Sequence, residues 1–253
     1  SDVCSSDLES LADNVINPIT GELFSIPSLD MGGYADLRFI LREGGSMGDL
    51  YSRTDLRRDA NGAIYMDESN NVYTQKIDNP DSYIKLGSVL PKGNLAWRNN
   101  FMWKNFHVGF MISARLGGVV FSRTQAVLDK FGVSEASANA RDNGFVLING
   151  NDRINPENWY TTVGSTAVPQ YYTYSATNVR LQEASIGYTI PRKWLANICD
   201  IKVSLIGRNL WMIYNKAPFD PEAVASTDNF YQGIDNFMMP SLRNVGFSLN
   251  FKF

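Results

Sequence analysis

The stretch that decides the fold is residues 240–253, PSLRNVGFSLNFKF. From residue 245 onward every second residue is apolar, and these residues are Val245, Phe247, Leu249, Phe251 and Phe253. The residues between them are small or polar, namely Gly246, Ser248, Asn250 and Lys252. Successive side chains of a β-strand point to opposite faces, so the period of two predicts a strand with one apolar and one polar face.

Two earlier segments repeat this pattern and form a predicted hairpin. In Phe106–Leu116 the even-numbered residues are apolar, whereas the odd-numbered ones carry an imidazole, a hydroxyl and a guanidinium. Leu95–Trp103 alternates in the opposite phase and is rich in aromatic side chains. Only Lys104 and Asn105 separate the two segments, and a two-residue connection between alternating runs predicts a tight β-hairpin.

Three further segments are predicted strands, which brings the total to about six by the same alternation criterion. Ile201–Tyr214 alternates at its start, and Tyr34–Arg42 is a further candidate. Arg180–Ile190 alternates but changes phase near residues 182–184. We interpret the phase change as either a β-bulge or the point where the strand leaves a membrane.

The connections between these strands differ greatly in length. Short turns are predicted at Lys104–Asn105 and Pro191–Asp200, whereas Gly44–Lys92, Gly117–Thr177 and Asn215–Met239 are long. Short turns at one edge of a sheet and long loops at the other are typical of outer-membrane β-barrels, and compact soluble domains rarely carry such loops.

Two short helices are predicted inside the loop at residues 117–177. Ser122 with Gln125 has the spacing of a capping box, and Gly132 suits the end of that helix. The second helix is predicted to begin at Asn155–Glu157, where a proline follows the capping residue, and to end at Gly164.

Periodicity alone fits the half-buried sheet of a soluble protein equally well. The chain favours a membrane barrel because its apolar faces carry Phe and Trp near strand ends, where a membrane interface favours them. A terminal aromatic residue on an alternating strand is also a barrel-assembly signal, which we assign to Phe247, Phe251 and Phe253. The residues predicted to face a lumen are Arg98, His107, Arg115, Lys202, Asn250 and Lys252.

The predicted fold class is therefore all-β: the C-terminal part of a large antiparallel transmembrane β-barrel, with long extracellular loops that contain short helices. As a fragment, the sheet is expected to stay open and curved, with Phe247 and Phe251 facing outward. A secreted β-sandwich that acts on polysaccharide is the alternative, and it requires those two side chains to be buried in a closed core. A non-transporting surface adhesin is a further alternative.

Composition excludes several functions for the chain of 253 residues. The formal net charge is −3 with no basic run, which argues against a nucleic-acid partner. There is no run of about 18 apolar residues that would predict a transmembrane helix. No nucleophile elbow, phosphate loop or metal-ligand spacing is present, so we predict no catalytic residue, no metal and no cofactor.

The first eight residues, SDVCSSDL, resemble a translated sequencing adapter. We interpret residues 1–8 as an artefact at the broken end of a gene fragment and residues 9–253 as barrel. Cys4 is then not genuine, and Cys199 is the only cysteine left, which excludes a disulfide.

Four motifs, in the correct order, resemble the SusC/RagA family of TonB-dependent outer-membrane transporters. They are WKNFHVGFMISARLGGVVFSRTQAVLDKFG from residue 103, NVRLQEASIGYTIPRKWL from residue 178, GRNLWMIYNKAPFDPE from residue 207, and the final PSLRNVGFSLNFKF. The resemblance covers roughly residues 42–253. The family's plug domain, its TonB-contacting motif and most of its barrel strands have no counterpart in these residues.

The resemblance implies a function in the outer membrane of a Gram-negative bacterium. An oligosaccharide or peptide is captured by extracellular loops, under a SusD-like surface lipoprotein, and is imported with energy transmitted by TonB. The three long loops are then extracellular, and the two short turns are periplasmic. The loop aromatics proposed to contact substrate are Trp159, Tyr160, Tyr171, Tyr172, Tyr174, Phe230 and Tyr231.

One loop motif has two possible roles. Asp220 and Glu222 flank Pro221 in a loop that matches the family's Asp-Pro-Glu pattern. Two carboxylates in this arrangement can bind a cation or can order the loop, and we favour loop order. For each loop aromatic the competing role is packing within the loop or contact with the surface lipoprotein.

Overall fold

The computed structural model describes residues 8–166, 168–195, 198–226 and 231–252. The chain divides into two compact units. We call the described residues within 1–90, 119–174 and 224–238 the loop unit. We call residues 91–118, 175–223 and 239–253 the sheet unit.

The strands of the described residues are β1 Val15–Ile16, β2 Leu23–Phe24, β3 Ser28–Tyr34, β4 Leu37–Arg42, β5 Asp49–Ser52, β6 Thr54–Leu56, β7 Thr74–Lys76, β8 Ile84–Ser88, β9 Gly93–Trp103, β10 Phe106–Leu116, β11 Val119–Ser122, β12 Val146–Ile148, β13 Asp152–Ile154, β14 Thr173–Ser175, β15 Asn178–Ile190, β16 Asp200–Asn215, β17 Ile234–Asp235 and β18 Asn244–Lys252. The α-helices are α1 Arg123–Lys130, α2 Glu135–Asn143 and α3 Pro156–Thr166. Short 3-10 turns lie at Pro80–Ser82, Pro169–Tyr171 and Arg192–Trp194.

The sheet unit is built on one antiparallel sheet of five strands in the order β18-β16-β15-β10-β9. β9 and β10 each have 11 residues, and a tilted strand of about 9 to 11 residues spans the hydrocarbon core of a bilayer. The predicted hairpin is confirmed, because Trp103 pairs with Phe106 across the two-residue turn. Lys104 takes a positive φ of 52° there, as the turn requires.

Strand register gives this sheet an apolar face and a polar face. Phe110 pairs with Asn99 and Ala184 on the apolar face, and Met111 pairs with Arg98 and Glu183 on the polar face. Between Leu181 and Glu183 the register shifts by one residue, which leaves Gln182 unpaired. The predicted phase change is therefore a β-bulge, and it keeps each face uniform past the bulge.

The apolar face of β18 is exposed, as predicted. Phe247 is 76% exposed and Phe251 is 53% exposed, although both are large apolar side chains. Phe253, the third residue of the proposed assembly signal, lies outside the described residues. This exposure contradicts the β-sandwich alternative, which requires these side chains in a closed core. The sheet is open, and the predicted fold class is confirmed.

The loop unit has a hydrophobic core of its own, to which all three predicted long loops contribute. β3-β4-β5-β8 form one sheet, and β14-β11-β17 form another in which β11 and β17 are parallel. Ser122 donates a hydrogen bond to Asp235 at 2.7 Å beside that parallel pair. The buried core residues are Leu37, Phe39, Leu50, Leu56, Val89, Phe121, Ala126, Val163, Val168, Tyr172 and Ile234.

One predicted membrane strand is wrong. Residues 34–42 are divided by a turn in which Ala35 has a φ of 51°, so that β3 ends at Tyr34 and β4 begins at Leu37. β4 lies in the loop unit, where Leu37 and Phe39 are buried. The described sheet unit therefore has five long strands rather than six.

The predicted helices are confirmed at their starts. Ser122 accepts a hydrogen bond from the Gln125 backbone at 3.0 Å, and Asn155 accepts one from the Glu157 backbone at 2.8 Å. The predicted end at Gly164 is wrong, because α3 continues to Thr166. A Cβ at residue 164 would lie 2.7 Å from the Ala126 carbonyl oxygen, so this glycine permits close approach of α1 and α3.

The sequence prediction missed α2. Its Ser134 cap accepts a hydrogen bond from the Ser137 backbone, and Gly144 ends the helix with a φ of 80°. Both signals are standard helix-boundary signals. Across the described ranges, none of the helices has the length and hydropathy needed to cross a membrane.

Candidate functional site

The six residues predicted to face a lumen all lie on the polar face of the sheet unit. The register places Arg98, His107, Arg115, Lys202, Asn250 and Lys252 on this one face. At its centre Glu183 pairs with Arg98 at 3.4 Å and with Arg208 at 3.3 Å. The Glu183 carboxylate on β15 thus joins a guanidinium from the adjacent β16 with one from β9, which lies beyond the intervening β10.

His107 is used locally on the polar face. Its Nε2 lies 2.8 Å from the Thr189 hydroxyl on the neighbouring strand. Within the described parts of the chain, no three His, Cys, Asp or Glu side chains group closely enough to hold a metal ion. The contact that the structure shows for the His107 side chain is this hydrogen bond between β10 and β15.

The apolar face carries a cluster of aromatic rings near the hairpin end of the sheet. Phe106 contacts Trp103 and Tyr188, with ring centroids 6.4 and 4.8 Å away. Farther along the strands, Trp97 meets Phe110 edge to face at 5.4 Å. Aromatic rings at the end of a strand suit the boundary between lipid and water, where one side of the ring is apolar and the other is wet.

The Asp-Pro-Glu loop is held by a buried guanidinium. Arg180 on β15 lies 3.0 Å from Asp220 and 2.9 Å from Glu222. Asn178 donates a further hydrogen bond to Glu222 at 3.3 Å. The second oxygen of Asp220 accepts hydrogen bonds from the Ser241 hydroxyl and backbone, at 2.6 and 3.2 Å. We call Asn178, Arg180, Asp220, Glu222 and Ser241 the arginine clasp.

Electrostatics explain why the arginine clasp stays charged. Burial acts to raise the pKa of Asp220, but the hydrogen bond from Ser241 and the charge of Arg180 outweigh it. The net effect is a lowered pKa for Asp220. The cation that these carboxylates bind in the structure is the chain's own arginine, and the geometry is that of an ordered loop.

The proposed substrate-contacting aromatics occupy different environments. Tyr172 is only 2% exposed in the core of the loop unit, and Trp159 packs edge to face on Tyr171 with centroids 5.5 Å apart. These three side chains pack within the loop unit, which is the competing role given for each loop aromatic. Tyr231 is exposed, whereas Phe230 lies outside the described residues.

Tyr160 and Tyr174 are intermediate cases. Both side chains are partly buried, and burial raises the pKa of each phenol. Tyr160 lines a cleft of about 380 Å³ in the loop unit, together with Phe131, Asp129, Glu157 and Arg141. The cleft lies among α1, α2 and α3, so the missed helix is one of its walls. Its mixture of rings, carboxylates and a guanidinium suits a polar ligand with an apolar surface.

Comparison with known proteins finds one sequence relative and solved structures of similar fold. No family model matches the chain. Over 210 residues it is 27% identical to "TonB-dependent receptor P3" from Formosa agariphila, a match that covers 77% of this chain and 19% of the relative. This chain therefore spans about a fifth of that relative's length.

Two solved structures of the RagAB peptide importer have the same fold. In its closed-closed state the TM-score is 0.55 at 14% identity, with 89% of this chain and 28% of that chain covered. In its open-open state the TM-score is 0.55 at 12% identity, with 97% and 31% covered. The relatives are a receptor and an importer, which fits the prediction of a protein that is not an enzyme. The chain has the β-fold of one part of such an importer and is similar in sequence to a TonB-dependent receptor.

Proposed function

We propose that this chain is the C-terminal part of a TonB-dependent importer of glycans or peptides in the outer membrane of a Gram-negative bacterium. The observation that supports this most strongly is the five-stranded antiparallel sheet, whose apolar face is exposed on side chains as large as Phe247. Lipid is the environment in which such a face is stable, because it removes apolar surface from water.

The two faces of the sheet have separate roles in this proposal. The apolar face contacts outer-membrane lipid, and its aromatic rings lie at the interface. The polar face, with Arg98, His107, Arg115, Lys202, Asn250 and Lys252, lines the lumen. Phe247, Phe251 and Phe253 form the assembly signal. The short turns are periplasmic, and the long loops are extracellular.

The loop unit receives the substrate and a SusD-like lipoprotein in this proposal. Its core gives the long loops a fixed shape, which lowers the ordering cost of binding. Among the candidate aromatics, Tyr160 and Tyr231 are the two whose surroundings best allow contact with a ligand, because one lines a cleft and the other is exposed. The arginine clasp fixes the loop at Asp220–Glu222.

Energy enters through TonB, which acts on segments of the longer protein that this chain does not include. The chain itself is required to provide a wall, a lumen surface and a capture surface, with no covalent chemistry. Substrate movement is then driven by a change in the plug, while the barrel strands keep their register.

The test is location combined with uptake in the bacterium that carries the gene. The complete gene product is deleted and restored, and fluorescent oligosaccharides and peptides are offered with and without a proton-motive-force uncoupler. We expect the protein in the outer-membrane fraction and an uptake that is lost on deletion and on uncoupling. A location outside that fraction overturns the proposal. An outer-membrane protein whose deletion leaves uptake of every probe unchanged supports the adhesin alternative instead.

A further inference from the structure

The polar face of the sheet unit has an excess of positive charge, although the whole chain is mildly acidic. All charged side chains within the five long strands fall on this face by register. Arg98 and Arg208 share the single carboxylate of Glu183. Among the described residues, two guanidinium groups therefore face one carboxylate, an excess of one positive charge.

Two lysines add to this excess. They are Lys202 and Lys252, and neither side chain makes an ion pair or hydrogen bond with a described residue. Lys202 lies opposite Asn250, a neutral residue, in the register. Lys252 lies opposite Asp200 in the register, but Asp200 is bound by Arg192 at 3.3 Å. Among the described residues, Glu183 is the one carboxylate that pairs with any of the four cations Arg98, Lys202, Arg208 and Lys252.

The cations are distributed along the strands. Lys202 and Arg208 are six residues apart on β16, a separation of about 20 Å at the rise of a β-strand. Lys252 continues the series on the adjacent strand. We call Arg98, Lys202, Arg208 and Lys252 the cationic track, because they follow the direction in which the strands cross the proposed membrane.

The other side chains of the polar face narrow the class of ligand. Every aromatic residue of the five described strands lies on the opposite, apolar face by register. The polar face instead contains Met102, Met111 and Met212. Methionine adapts its shape to varied partners, which suits peptides of mixed sequence. A sugar chain is typically held by aromatic surfaces, and this face has none among its described residues.

We propose that the cationic track selects acidic peptides for passage along the lumen wall. The proposal rests on the importer function argued above and gives its substrate class. Carboxylates of Asp and Glu side chains meet Lys202, Lys252 and the two arginines in turn. Each contact is a solvated ion pair, which is weak enough to be exchanged as the peptide moves.

The experiment measures uptake by cells that express the complete gene product. The probes are a fluorescent hexaglutamate peptide, the matching hexaglutamine peptide, and an oligogalacturonate as an acidic glycan. We expect hexaglutamate uptake to exceed hexaglutamine uptake by about tenfold at low salt and the difference to shrink at high salt. Equal uptake of the two peptides overturns the proposal, and so does oligogalacturonate uptake that exceeds hexaglutamate uptake. If none of the probes enters even with the wild-type protein, the importer function itself fails.

Three variants separate the cationic track from general damage. Lys202→Gln with Lys252→Gln is expected to lower hexaglutamate uptake about tenfold and to leave hexaglutamine uptake unchanged. Glu183→Gln removes the balancing carboxylate and is expected to raise hexaglutamate uptake. Lys104→Gln, in the hairpin turn outside the strands, is the matched control and is expected to change neither. The double variant overturns the proposal if it lowers the uptake of both peptides equally while its level in the outer membrane is unchanged. The lysines would then stabilise another part of the barrel.

Discussion

The loop unit and the sheet unit use the same period-two alternation for opposite purposes. In the loop unit, Leu37 and Phe39 on β4 flank Arg38 and are 0% and 2% exposed in a closed core. In the sheet unit, Phe247 on β18 is 76% exposed. A pattern of alternating residues therefore identifies a strand and its two faces, but it does not identify the solvent that the apolar face meets.

The difference lies in what covers each apolar face. Strands of the loop unit are short, and α1 and α3 supply Ala126 and Val163 to the same core. The five strands of the sheet unit are long, and their described apolar residues remain exposed over the whole of β18. Protein covers the apolar face in the first case, and we propose that lipid covers it in the second.

Truncation of one phenylalanine in each unit is expected to have unequal effects. Phe121→Ala opens a cavity in the loop unit and should lower its free energy of unfolding by about 3 to 5 kcal/mol. Phe247→Ala, on the exposed face, leaves no cavity and should change that energy little. Denaturant titration followed by protease resistance of the loop unit measures both variants. Equal losses would show that the two phenylalanines have equivalent surroundings.

Disruption of the arginine clasp is expected to lower stability by a similar amount. Arg180→Ala leaves Asp220 buried without its cation, which should cost about 3 to 5 kcal/mol of stability. The double variant Arg180→Met with Asp220→Asn removes both charges and should recover part of the loss. Thermal unfolding of the three proteins measures this order. A single variant no less stable than the double variant would mean that the ion pair has no structural role.

A charge on either face of β18 tests the assignment of lipid directly. Phe247→Arg places a guanidinium on the apolar face and is expected to cost about 2 to 4 kcal/mol of folding into a bilayer. Ser248→Arg, the adjacent residue on the polar face, is the matched control and should cost much less. Urea titration of folding into lipid vesicles compares them. An equal cost at both positions would remove the distinction between the two faces.

The smallest loss of stability is expected from a substitution at Gly164, where α1 and α3 approach closely. Gly164→Ala places a methyl group 2.7 Å from backbone atoms of Ala126 and Lys130, so α1 and α3 must separate. The expected loss is about 1 to 3 kcal/mol. Ser165→Ala, on the exposed side of the same helix, should stay within about 0.5 kcal/mol. Thermal unfolding of the loop unit distinguishes the two variants.

The long strands and the hairpin were predictable because alternation and turn residues are local signals. The chain from Phe106 to Leu116 forms a strand with the predicted bounds, and even the bulge at Gln182 was visible as a change of phase. The sheet to which residues 34–42 belong was not predictable, because Leu37 and Phe39 alternate as a membrane strand does. What buries them comes from distant segments such as Val163 and Ile234, which local periodicity does not reveal.

The sites were less predictable than the strands. The Asp-Pro-Glu motif was recognised, but its partner Arg180 lies 40 residues earlier, and pairing across β15 and the loop brings them together. The burial of Tyr172 was not predictable, because an aromatic residue in a loop has the same sequence signature whether it packs in a core or remains exposed. The charge of the polar face became visible only when the register of five strands was known.

We propose above all that the odd-numbered residues of β18 face lipid. The most direct measurement uses the complete protein, with Cys199→Ser and every cysteine outside this chain also replaced by serine, embedded in vesicles with quencher-bearing lipids. A fluorescent label is attached at single cysteines placed one at a time from residue 245 to residue 251. We predict strong quenching at residues 245, 247, 249 and 251 and weak quenching at 246, 248 and 250. Quenching without a period of two, or with the two sets exchanged, would contradict the account.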